Sequence, residues 1–170
     1  MSPRPVLAVA LLAASALALS GCVILPPGGT PGPGPDPQPA PGASGAATCD
    51  GGELHLDQPG EYRIGDCDEL HIAGTGVEVV AGDVGLISIR GDANEVDARS
   101  VGSIDIEGQE NEVDADSVGA VEIAGDRNDV ESRGDMGSVT VAGNDNEVGY
   151  AGFVGSVDDR GARNEIRQER

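Results

Sequence analysis

Trp and Lys are absent from the chain, Phe153 is the only Phe, and Tyr62 and Tyr150 are the only Tyr. No large aromatic core can form, so the fold must rest on a thin aliphatic one. Thr is scarce on the patterned strands, where only Thr140 occurs, which removes the flat Thr ladder of an ice- or surface-binding protein. Basic residues are also few: 10 Lys+Arg stand against 30 Asp+Glu, a formal charge of −20. Such a chain repels nucleic acid and gains no electrostatic hold on anionic lipid. Glycine, by contrast, is abundant at 27 residues, and it is not scattered at random.

GDANEV at Gly91 returns as GQENEV at Gly108, GDRNDV at Gly125, GNDNEV at Gly143 and GARNEI at Gly161, with a weaker form, GTGVEV, at Gly74. The spacings 91 − 74, 108 − 91 and 125 − 108 are 17, and 143 − 125 and 161 − 143 are 18. So short and regular a period marks a solenoid whose units bury their apolar faces only by stacking on one another. Within a unit the alternation has period two: Asp105 separates Ile104 from Ile106, and Asp114 separates Val113 from Ala115. This predicts two short strands per coil, joined through Gly108 and through Ser117-Val118-Gly119. Glycine about every eighth or ninth residue excludes helix. The expected fold is all-β, a short single-domain parallel β-solenoid over residues 48–170.

Aligned copies form columns. Leu70, Ile87, Ile104, Val121, Val139 and Val157 make one; Ile72, Ile89, Ile106, Ile123 and Val141 a second; Val79, Val96, Val113, Val130, Val148 and Ile166 a third. All are aliphatic, as the inside of a narrow coil stacked about 4.8 Å per rung requires. Asn94, Asn111, Asn128, Asn146 and Asn164 share the inward parity, which predicts an amide ladder bonded from rung to rung rather than an exposed sugar-binding row. The next position points outward and is acidic in every coil: Glu78, Glu95, Glu112, Asp129, Glu147 and Glu165. Stacked in register, these like charges approach to about 5 Å, a repulsion of about 1 to 3 kcal/mol per neighbour. Splayed, solvated carboxylates are the expected outcome, helped by Arg99, Arg127 and Arg163. Ca²⁺ held among the six acids is the alternative, against which stands the lack of a tight calcium loop.

Residues 1–21 carry Arg4 and then an apolar run from Val6 to Leu19, too short to span a bilayer comfortably. They read as an export signal. Leu19-Ser20-Gly21-Cys22 resembles the lipobox of bacterial lipoproteins, which implies diacylglyceryl attachment at Cys22, cleavage before it, and acylation of the new amino terminus. Two or three acyl chains, palmitate among them, would give lasting attachment to a membrane where one would be marginal. Residues 22–47 follow as a Pro/Gly-rich linker, reaching several nanometres at about 3 Å per residue. The expected location is the outer face of the cytoplasmic membrane, or the outer membrane where the organism has one.

Cys49 and Cys67 lie 67 − 49 = 18 residues apart, one coil, and Cys67 heads the column Val84, Val101, Val118, Met136 and Val154. Equivalent inward positions on neighbouring rungs would bring the Cα atoms within disulfide range, and an exported chain favours the pairing over a two-thiol metal site. His55 and His71 face outward in one column of adjacent coils and could share Zn or Cu, but no third ligand is evident, and solvated strand residues are the expected reading. DQPGEYRI, Asp57 to Ile64, holds Pro59 and about two residues more than the period, which predicts a cap. Asp158-Asp159-Arg160 puts a charge in an aliphatic column at the other end, a device that blunts edge-to-edge pairing.

Lipobox, Pro-rich tether and repeated GxxNxV units together resemble bacterial, actinobacterial-type lipoproteins carrying the domain of unknown function numbered three-thousand-sixty. The resemblance covers about Thr48 to Ile166, with Val77 and Asp159 departing from the repeat, and implies a solenoid without any established activity or transferable site residues. A non-enzymatic envelope lipoprotein presenting a rigid acidic rod to a wall polymer, an envelope protein or a cation is the expected function. A polysaccharide-acting β-helix enzyme is the main competitor, against which stand the short rod, the absence of long loops and the absence of acids paired across a cleft. No catalytic residues and no cofactor are assigned.

Overall fold

The computed structural model describes residues 47–49 and 52–169. The export signal, Cys22 and the linker up to Ala46 lie outside the described residues. Among the described residues eleven strands form one parallel sheet wound into about seven turns. In chain order they are β1 (Glu53–Leu56), β2 (Gly60–Arg63), β3 (Cys67–Ile72), β4 (Val77–Ile89), β5 (Glu95–Ile106), β6 (Glu112–Ile123), β7 (Asp129–Ser132), β8 (Met136–Val141), β9 (Glu147–Tyr150), β10 (Val154–Asp159) and β11 (Glu165–Gln168). Among the described residues no helix is long and apolar enough to cross a membrane.

Register follows the repeat. β4 pairs with β5 as Val79↔Val96 and Ile87↔Ile104, β5 with β6 as Val96↔Val113 and Ile104↔Val121, and the shift becomes 18 where β6 meets β8, as Val121↔Val139. The predicted aliphatic columns are therefore real stacks, and Leu70, Ile87, Ile89, Ile106, Ile123 and Val130 are fully buried within them. A further inward column is graded: Ala81, Ala98 and Ala115 fill the middle, while Ile64 and Tyr150 plug it towards the two ends.

The joints differ from the sequence expectation. Ser117-Val118-Gly119 is not a break, because β4, β5 and β6 run continuously round this corner and Val118 is buried in the column that Cys67 begins. Only where the period lengthens does the strand split: two residues lie between Ala115 and Val118, but three, Arg133-Gly134-Asp135, lie between Ser132 and Met136. The extra residue interrupts the ladder. The first coil also differs. Leu56 and Gly60 flank a three-residue turn, whereas their register partners Ile72 and Val77 flank four, so the cap is one residue shorter than the coil above it rather than longer.

Glycine and asparagine together set the other corner. A Cβ on Gly91, Gly125, Gly143 or Gly161 would stand 1.7 Å from the carbonyl oxygen of the glycine one coil before it, so no other residue fits. That carbonyl oxygen is then bonded by the ladder. Asn111 Nδ2 donates to the Gly91 oxygen and to Asn128 Oδ1, each at 3.0 Å, while Asn111 Oδ1 accepts from both Asn94 N and Asn94 Nδ2 at 3.0 Å. Asn94, Asn111, Asn128 and Asn146 are all buried. The ladder has defined ends: Val77 occupies the first position and donates its backbone N–H to Asn94 Oδ1, and Asp159 accepts from Asn164 Nδ2 at 2.8 Å. Asp159 thus replaces the amide that a further coil would supply.

The residue before each ladder asparagine is left-handed: Ala93, Glu110, Arg127, Asp145 and Arg163 have φ of 53°, 57°, 58°, 57° and 59°. Each such residue costs about 1 kcal/mol for an L side chain. A rung-to-rung bond offsets the strain, as Ala93 N donates to the Gln109 oxygen and Arg127 N to the Asn144 oxygen, both at 3.0 Å.

Cys49 and Cys67 form a disulfide with Cα atoms 5.5 Å apart. The pairing matches the expectation, but the geometry behind it differs. β1 pairs with β3 as Glu53↔Glu69, an offset of 16, so the register partner of Cys67 would be residue 51, and Cys49 reaches it from two residues ahead. The bridge therefore ties the segment ahead of β1 to β3.

Two stability measurements follow from these contacts. Asn111→Ala removes the acceptor for two Asn94 donors and the donor to Gly91, and is expected to destabilise by about 1 to 3 kcal/mol, while Glu112→Gln, which only relieves repulsion on the outer face, is expected not to lower the melting temperature. Equal melting of Asn111→Ala and wild type would place the amide in water. Replacing both Cys49 and Cys67 by Ser is expected to lower stability by about 3 kcal/mol for a loop of this length, read by urea titration of the oxidised and variant chains.

Candidate functional site

Each coil presents two outward strand faces, and they differ in chemistry. The face made by β3, the second halves of β4, β5 and β6, then β8 and β10 is mixed: Ser103, Ala120, Ser138 and Ser156 stack in register as one short, neutral column, and Ser88, Asp105, Glu122, Thr140 and Asp158 form a second beside it in which acids and hydroxyls share the row. The face made by β2, the first halves of β4, β5 and β6, then β7, β9 and β11 is acidic. Its predicted column is continuous, Glu78↔Glu95↔Glu112↔Asp129↔Glu147↔Glu165, and Glu61 extends it downward by one rung. Beside it runs a second acidic column that the sequence reading passed over, Asp97↔Asp114↔Glu131. Period-two parity was the signal for it, since Asp97 lies two residues after Glu95 and shares its side of the strand.

The arginines do not relieve this face in the expected way. Arg99 Nε bonds Asp83 at 2.8 Å and its Nη2 bonds Asp66 at 2.9 Å, Arg127 bonds Glu110 at 2.9 Å, and Arg163 bonds Asp145 at 2.6 Å, all at the corners of the coil. Each joins neighbouring coils while pointing away from the column. Arg167 alone among the described arginines is paired to it, with Glu147 and with Glu165, at the last rungs.

Unrelieved charge shows in the proton affinities. Partial burial and the flanking Glu112 and Glu78 raise the Glu95 pKa, and partial burial with Glu169 and Asp114 nearby raises that of Glu131. Asp129 is the extreme. One methylene shorter than its neighbours, its carboxylate sits closer to the sheet, and burial followed by repulsion from Glu147, Glu131 and Glu112 pushes its pKa up to about 6. Its Oδ1 is buried without a hydrogen-bond partner. At the corners the sign is reversed, because the Arg99 and Arg163 guanidiniums hold Asp83 and Asp145 below the usual carboxylate range. The acid columns supply one carboxylate per strand in flat rows, unlike the loop that wraps Ca²⁺ in six to eight oxygens.

The histidines also fall where the strand parity placed them. His55 and His71 are register partners on β1 and β3, with rings stacked at 4.7 Å and 15°. A carboxylate accompanies each, since His55 Nε2 lies 2.7 Å from Glu53 Oε1 and His71 Nε2 lies 3.3 Å from Glu69 Oε2. The sequence reading missed these acids, although Glu-Leu-His occurs in both coils.

Asp129 generates a pH prediction. Its folded-state pKa lies above the unfolded value of 3.8, so the native state binds the proton more tightly and stability falls as pH rises from about 4 through about 6. The full shift would correspond to roughly 3 kcal/mol, which solvent screening on this half-open face reduces to about 1 kcal/mol. Asp129→Asn is therefore expected to melt several degrees above wild type at pH 7.5, with the difference shrinking as pH falls through about 6 and vanishing below about 4; an equal difference at both ends of that range would mean that the carboxylate is solvated.

No curated protein and no solved structure matches the chain. Residues 89–135 hold three complete GxxNxV units, GDANEV, GQENEV and GDRNDV, with their buried asparagines. That stretch matches the family model described as Protein of unknown function (DUF3060), the family that the repeat resembles.

Proposed function

We propose that this chain is a non-enzymatic cell-envelope lipoprotein, anchored through an acylated Cys22, that presents the acidic face of its solenoid to a cationic partner in the envelope. The observation that carries this reading is the pair of in-register acidic columns, Glu61 to Glu165 and Asp97 to Glu131, left without arginine partners over most of their length. Retaining repulsion of about 1 to 3 kcal/mol between neighbours is unfavourable for folding alone, so a repeat that keeps acids there on every rung has a use for the charge. A cationic partner relieves that repulsion on binding, which adds affinity and steers encounter.

Several features support a surface role over catalysis. Turns between the described strands are of three to five residues, such as 124–128 and 133–135, so the faces are flat and no long loop walls a cleft. The elevated proton affinities of Glu95, Asp129 and Glu131 arise from burial against the sheet and then from a shared row of like charges on one plane, rather than from two acids facing each other across a substrate. About seven rungs at about 4.8 Å make a rod face about 30 Å long, enough for an extended polymer segment or the basic surface of a protein.

Two measurements test the parts of this reading separately. Cys22→Ala is expected to move the protein from the membrane fraction to the soluble one without changing its melting temperature, and continued membrane association would refute the lipid anchor. The triple variant Glu95→Gln, Glu112→Gln, Asp114→Asn is expected to lose most of its retention on isolated envelope at low salt, by tenfold or more for three charges of about 0.5 kcal/mol each. Equal retention of wild type and triple variant would show that the partner does not read this face.

A further inference from the structure

The repeated Glu-Leu-His tripeptide converges at the first two rungs in a way that the remaining coils do not repeat. Glu53 pairs with Glu69 and His55 with His71 across β1 and β3, so two carboxylates and two imidazoles share one outward patch. Glu53 Oε1 faces both ring nitrogens, lying 2.7 Å from His55 Nε2 and 3.7 Å from His71 Nε2. One ligand atom from each of Glu53, His55 and His71 falls within 4.8 Å of the others. The nearby Arg90 is neutralised by Glu107 at 3.1 Å, so its positive charge is partly withdrawn from the patch.

We propose that Glu53, His55 and His71, with Glu69 as a fourth donor, bind a divalent transition-metal ion of the imidazole- and carboxylate-preferring kind, Zn²⁺ or Cu²⁺. Neutral imidazole nitrogen and carboxylate oxygen are the donors such ions take, whereas the nitrogen pair disfavours Ca²⁺ and Mg²⁺. Tetrahedral ligands at about 2.0 Å from Zn²⁺ stand about 3.3 Å apart, so the Glu53–His55 contact of 2.7 Å must open by about half an ångström and the Glu53–His71 separation of 3.7 Å must close by a similar amount. Most of the side chains are free to do this: His55, Glu53 and Glu69 are 70%, 56% and 52% exposed, and only His71, at 27%, is held by its surroundings. His71 provides the fixed donor, and the other three close on it. Stacked rings aimed at one carboxylate oxygen would bring two positive charges together if both were protonated; a shared ion satisfies both nitrogens and the carboxylates at once. The bound ion would clip β1 to β3, next to the Cys49–Cys67 disulfide that ties the segment just before β1 to β3.

The test uses the full chain carrying Cys22→Ala, which removes the only thiol outside the disulfide. Titration with ZnCl₂ in a calorimeter is expected to show one ion per chain, with affinity lowered about tenfold or more by His71→Ala or His55→Ala and several-fold by Glu53→Gln. Glu112→Gln, on the acidic face, is expected to bind as the parent does, and a large excess of Ca²⁺ is expected not to displace Zn²⁺. Cu²⁺ bound in place of Zn²⁺ is expected to show nitrogen hyperfine structure in its electron paramagnetic resonance spectrum, lost in the double variant His55→Ala, His71→Ala. Far-UV circular dichroism confirms that each variant is folded, and His71→Gln replaces His71→Ala if the smaller side chain unsettles the strand. Absence of saturable binding, equal binding by a folded His71 variant, or displacement by Ca²⁺ would each overturn the site.

Discussion

The spacing of one coil on the next governs this molecule. Parallel main-chain hydrogen bonding holds rungs at about 4.8 Å, and at the GxxNxV corner the backbones approach so closely that a methyl group on Gly108 would lie 1.8 Å from the Gly91 oxygen. Each asparagine then ties its coil to the one before through the glycine carbonyl and the preceding amide. Such a corner tolerates neither a larger residue nor a missing amide. The left-handed residue before each asparagine follows from the same demand, because only that backbone turns the amide inward while directing its own N–H to the next coil.

In-register stacking acts on every residue, whichever way it points. Inside, it builds aliphatic columns with no need of aromatics. Outside, it turns one acidic residue per repeat into a row of acids and one histidine on each of two coils into a stacked pair. The outer columns therefore carry an electrostatic burden that the inner ones do not, visible in the raised proton affinity of Glu95, Asp129 and Glu131. Arginines relieve the corners instead of the face. Because a corner side chain leaves the strand at an angle, Arg99 reaches Asp83 and Asp66 on earlier coils, whereas the acids on the flat face, apart from Glu147 and Glu165 beside Arg167, have one another above and below.

The ends of the stack are managed by exceptions to the repeat. Val77 begins the ladder where no earlier amide exists, and Asp159 ends it by accepting the last Asn164 hydrogen. Ile64 and Tyr150 fill towards the ends a column whose middle is alanine. Each departure looks like a defect in an alignment of repeats and acts as a plug or a cap in the fold.

Residues that obey the period were legible from the sequence: the aliphatic columns, the buried asparagines, the acidic row and the parity of both histidines. Six copies of one unit sample each register position repeatedly, and strand parity alone decides in or out. Features that depend on the local path of the backbone were not legible. Whether a strand bends or breaks at Ser117 depended on one residue inserted at that corner in the later coils. Cys49 met Cys67 from outside the register because β1 pairs with β3 at an offset of 16, not the 18 that separates the two cysteines. The arginine partners, the burial of Asp129 and the closure of Glu53 and Glu69 around the histidines were likewise settled by the angle at which each side chain leaves its rung. A period specifies which residues stack; it does not specify how far each side chain reaches across a corner, and that distance was decided by the tertiary structure alone.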